Sequence, residues 1–82
     1  MIQLFPSNAV RECRLSLSVL SGALDNVAAM RVGGDAVLQD QALDELREAC
    51  ETVEELAGSD GMPARLRGAL LTASNGARAL LV

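Results

Sequence analysis

Three stretches of this 82-residue chain place apolar residues at alternating intervals of three and four, and each stretch is bounded by residues that stop helices. Val10, Cys13, Leu17, Leu20, Leu24 and Val27 form the first seam, and Ala42, Leu46, Ala49, Val53 and Leu56 the second. Leu66, Leu70, Ala73, Ala77 and Leu80 form the third. An α-helix that buries one face presents such a stripe, because 3.6 residues complete a turn.

The residues between the seams fix where the helices begin and end. Pro6 with Ser7 or Asn8 supplies the start of the first helix. Gly33 and Gly34 supply the left-handed residue that ends it near Arg31. Asp35 caps a second helix that nothing interrupts until Gly58. A turn of Gly, Ser and Asp then leads to Pro63, which suits the first turn of a third helix. The expected helices cover residues 8–31, 35–57 and 63–82, preceded by an apolar arm over residues 1–6. Connections this short make consecutive helices antiparallel. The expected fold is all-α, one domain over residues 1–82, a three-helix antiparallel (up-down-up) bundle that dimerises.

The expectation of a dimer comes from the composition of the core. Half of the residues are hydrophobic, yet Phe5 is the only aromatic. The core is therefore built from Leu, Val and Ala, which contribute less per position than aromatic rings. A chain of this length lies near the lower limit for a core unsupported by metal or disulfides. The first helix also carries a second apolar face of Leu15, Val19, Ala23 and Met30, next to the small residues Ser16, Ser18, Ser21 and Gly22. Either that face fills the groove between the other two helices, or it pairs with a second copy or a target protein. The apolar arm of Ile2, Leu4 and Phe5 has the same two uses, as a lid over the bundle end or as an element exchanged between subunits.

Charge is concentrated on the second helix. Asp40, Asp44, Glu48, Glu51 and Glu55 recur at helical spacing, with Glu45 and Glu54 on the flanks and only Arg47 to offset them. Like charges at these spacings cost a few tenths of a kcal/mol per pair. The stripe is either a solvated face, partly compensated by Arg65, Arg67 and Arg78, or a surface that docks onto a basic partner and selects it by charge. The third helix carries Gly68 and Gly76, each costing about 1 kcal/mol relative to alanine inside a helix. Either a neighbour packs closely over them, or a marginal helix simply tolerates them.

Several function classes are disfavoured. The chain has no His, Lys, Tyr or Trp, so the commonest general base, the Schiff-base nucleophile and the phenolic acid are all missing. No phosphate-binding loop or dinucleotide fingerprint is present, and carboxylates on one straight helix converge poorly on a cation. No cofactor or metal is expected, and no catalysis. A formal net charge of −4 argues against direct nucleic-acid binding and against an anionic membrane. The start lacks a basic n-region and a long apolar run, which predicts a cytoplasmic protein. Cys13 and Cys50 read as small apolar residues of a reduced interior, with a single disulfide between them as the alternative. Seven arginines with no lysine fit the codon usage of a GC-rich bacterial or phage genome.

The expected function is that of a small non-enzymatic regulator, adaptor or inhibitor that presents the acidic stripe to another protein with a basic surface. Two alternatives stand beside it. One is a helical oligomer that sequesters a small anionic ligand through Arg65, Arg67 or Arg78, and the other is a purely structural self-assembling subunit.

Overall fold

A computed structural model describes residues 6–81 of the chain. Three helices, α1 (Pro6–Gly33), α2 (Ala36–Ala57) and α3 (Ala64–Arg78), are followed by one 3₁₀ turn, Ala79–Leu81. Among the described residues there is no strand. The arm residues Ile2, Leu4 and Phe5 lie outside the described residues, as does Val82.

Each boundary has a local cause. Pro6 opens α1, where its missing N–H removes no intrahelical bond. Gly34 follows α1 at φ +77°, and its N–H donates to the Met30 carbonyl at 3.1 Å. Asp35 is the N-cap of α2, its carboxylate accepting from the Val37 and Leu38 amides at 3.0 and 3.1 Å. Two otherwise orphaned donors are satisfied in this way. The Gly58 N–H donates to the Glu54 and Glu55 carbonyls at the other end of α2, and Gly61 turns the chain at φ +83°. Pro63 sits one residue before α3, as its N-cap. Arg67 completes the junction by reaching back from α3. Its Nε donates to the Ala57 carbonyl at 2.8 Å and its Nη2 to the Met62 carbonyl at 3.4 Å. A cation there also complements the negative end of the α2 dipole.

The helices pack as a bundle with α2 in extensive contact with both α1 and α3. The molecule measures 43 × 19 × 19 Å, and at 1.5 Å per residue the 28 residues of α1 span nearly the whole length, about 42 Å. The core is Leu20, Val27, Leu46, Val53, Leu70 and Met62 with smaller Ala and Cys residues between them. Cys13 and Cys50 are buried free thiols. The Cys13 thiol donates to Met62 Sδ at 3.8 Å and that of Cys50 to the Ser74 carbonyl at 4.0 Å. Burial pushes the pKa of both thiols up, which suits inert packing rather than reactivity.

Ala42, Leu46, Ala49 and Val53 of the second seam are buried as their spacing predicts and Cys50 and Ala57 join them, while Leu56 packs partly buried against the core. The first and third seams differ at their ends. Ala9 is buried where Val10 was expected, and Val10 is 44% exposed, because the buried stripe of α1 lies one residue earlier at its N-terminus. α3 gives way to the 3₁₀ turn after Arg78, and Leu80 is left exposed while Leu81 packs against the core. The second face of α1 divides. Leu15 and Val19 are exposed, whereas Ala23 and Met30 pack against the core. No atom beyond the local helix lies within 4 Å of a Cβ built at Gly68 or Gly76, so no neighbour packs closely over either.

Candidate functional site

Side chains on the outward face of α2 follow directly from the phase of its core stripe. Ala42, Leu46, Ala49, Val53 and Ala57 turn inward, and the residues half a turn away must turn out. Asp40, Asp44, Glu48, Glu51 and Glu55 are all exposed there. The first and last are 15 residues apart, about 22 Å at helical rise. Of these five, Asp44 holds a salt bridge to Arg47 at 2.8 Å.

The flanking acids are engaged within the bundle. Asn26 Nδ2 of α1 donates to Glu45 Oε2 at 3.3 Å. Glu54 receives the hydroxyl of Ser74 and a forked contact from Arg78, whose Nε donates to Oε2 and whose Nη2 donates to Oε1 at 2.8 Å. Paired parallel bonds between a guanidinium and a carboxylate are the strongest form of such a contact. Hydrogen bonds from Arg78 and then from Ser74 hold the Glu54 carboxyl down to about 2, well below its ordinary 4.5. The same partnership raises the Arg78 pKa.

The three arginines expected to compensate the stripe therefore have different positions. Arg78 pairs with Glu54, Arg67 joins the α2–α3 turn, and Arg65 is exposed at the start of α3. Arg67 and Arg78 are 11 residues apart, about 16 Å along the helix. They do not converge on one point.

A groove of about 520 Å³ lies beside the acidic face. Val19, Gly22, Ala23 and Asn26 of α1 form one wall, and Glu45, Glu48, Ala49 and Thr52 of α2 form the other. It exists because small residues face each other across the pair and leave the helices' outer edges unfilled. Glu48 belongs to both features. A Cβ built at Gly22 would meet nothing within 4 Å, so the groove is open to an entering side chain.

Comparison with family models, curated proteins and solved structures finds no match for this chain. Function must be read from the surface. No helix among the described residues is long and apolar enough to cross a membrane. Among those residues, no group of three or more His, Cys, Asp or Glu is placed to hold a metal ion.

The sequence offers Arg78 as a compensator of the α2 acids, but neither the groove nor the part of Ser74 in the Glu54 cluster follows from periodicity. The one available signal was Ser74, which continues the buried phase of α3 between Leu70 and Ala77. A polar residue at a core position needs a partner, and Glu54 is that partner.

Proposed function

We propose that the protein is a non-enzymatic binding module, a regulator or inhibitor that captures another protein by presenting Asp40, Asp44, Glu48, Glu51 and Glu55 to a basic surface. The supporting observation is that the stripe is left largely unneutralised within its own bundle. Arg78 binds the flanking Glu54, Arg67 binds backbone carbonyls, and among the described residues only Arg47 pairs with a member of the stripe. A row of exposed like charges costs folding free energy, and a cationic partner relieves that cost while gaining speed and selectivity of encounter. The adjoining groove offers apolar area from Val19, Ala23 and Ala49. Exposed ion pairs alone contribute little, so such area is needed for useful affinity.

In this reading the bundle is up-down-up. The order is supported by Asn26 meeting Glu45, by Glu54 meeting Ser74 and Arg78, and by Arg31 Nη2 reaching the Leu80 carbonyl at 3.4 Å. The protein acts in the cytoplasm, where its two thiols stay reduced. Exposed Leu15 and Val19 favour self-association through α1.

The test is a titration of a labelled, Arg-rich amphipathic helical peptide, since the chain has no Trp or Tyr to report binding. Glu48→Arg with Glu51→Arg weakens the complex by about tenfold or more, or at least 1.4 kcal/mol, at unchanged helicity. Undiminished binding by that variant removes the acidic face from the function.

A further inference from the structure

Charge is divided unevenly among the helices of this molecule. α2 carries seven carboxylates and one arginine, whereas α1 and α3 together carry six arginines and two carboxylates. The chain therefore holds a basic surface of the kind its own acidic face requires.

That surface can be located from the packing. Two contacts join α1 to the last third of the chain, Cys13 to Met62 and Arg31 to Leu80, and both link residues 49 apart. The same offset brings Arg65 level with Ser16, two residues or about 3 Å along the axis from Arg14. Arg11, Arg14 and Arg65 are all exposed and form one basic strip near the α1 N-terminus. The nearest acids in sequence and register are Glu12, on the other flank of α1, Asp60, in the turn, and Glu55, which the Asn26–Glu45 pairing puts level with Ser16 on the outward face of α2. Beside Arg11 and Arg14 stands Val10, the apolar residue that the core leaves 44% exposed.

We propose that a second copy of this chain occupies the α1/α2 groove, seated head to tail through its Val10, Arg11, Arg14 and Arg65. The proposal rests on the reading of the α2 face as a docking surface and names its partner. Val10 is an apolar side chain of a size that a groove walled by Val19, Ala23 and Ala49 admits. Its flanking arginines come against Glu45 and Glu48 on the opposite wall. Val10 and Val19 are nine residues apart and point to opposite sides of α1, about 180° at helical pitch. One α1 thus cannot use both surfaces against the same neighbour. The contact is heterologous, and such contacts extend into rings or filaments instead of stopping at a two-fold dimer.

The experiment is light scattering on the full chain over a range of concentration and salt. At low salt the weight-average mass rises above the 8.6 kDa monomer with concentration and passes that of a dimer. In about 1 M salt, where the screening length is near 3 Å, it falls back. Arg11→Glu with Arg14→Glu abolishes the rise, and so does Glu45→Arg with Glu48→Arg. Mixing the two variants in equal amounts restores it, because the reversed strip of one then fits the reversed groove of the other. A monomer at every concentration and salt overturns the proposal but leaves the acidic face to be judged by the peptide titration. Association that ignores salt, or variants that do not rescue each other, also overturns it.

Discussion

At the scale of single residues, the contact with the most consequence inside the bundle is Glu54 with Ser74 and Arg78. It ties α2 to α3 through a buried hydroxyl and a half-exposed guanidinium. Because the folded-state pKa of Glu54 lies near 2 and its ordinary value is 4.5, the carboxylate's contribution to stability is complete above about pH 4.5. It is lost as the pH falls toward 2, where the folded state too must take up the proton. The native protein is thus expected to lose stability across that window more steeply than Glu54→Gln, which has no carboxylate to protonate at this position. Urea midpoints followed by circular dichroism at several pH values measure the difference. Parallel acid limbs in the two proteins would show that the forked contact contributes nothing.

At the scale of helices, stability depends on ends and on backbone cost. Asp35→Ala removes the side chain that accepts from the Val37 and Leu38 amides, and a lost N-cap costs about 1 kcal/mol. That loss should appear as a lower urea midpoint with an unchanged slope. Gly68→Ala and Gly76→Ala should each stabilise α3, by up to about 1 kcal/mol, since an added Cβ meets no neighbour at either position. A lower melting temperature for either would mean that something does pack over these glycines in solution. The elements themselves were legible in the sequence because apolar spacing and capping chemistry agree. Asp35, Gly34 and the second seam from Ala42 to Leu56 all follow from local rules. Periodicity could not say that α1 buries Ala9 in place of Val10, since the phase at a helix end depends on what the partner helix leaves room for. Nor could it find the pairing of Ser74 with Glu54, because a part-buried polar contact between residues 20 apart has no local signature. The groove between Gly22 and Glu48 was invisible for the same reason, being a property of two helices in register.

At the scale of the whole molecule, a rod of 43 × 19 × 19 Å exposes one acidic helix along one side and a basic strip on another. The core needs nothing from either. In the proposed function the acidic face meets a partner, and the candidate site of α2 is legible in outline from the spacing of its acids. What separates a docking face from an acidic protein attracting any cation is position. The most direct measurement compares two variants of equal charge against the same Arg-rich amphipathic peptide. Glu48→Arg with Glu51→Arg reverses the face, and Asp25→Arg with Asp60→Arg makes the same change elsewhere, each taking the formal net charge from −4 to zero. The first variant is expected to lose about tenfold or more in affinity, and the second to stay within about threefold of the native protein. Equal losses in both would contradict a localised binding face on α2.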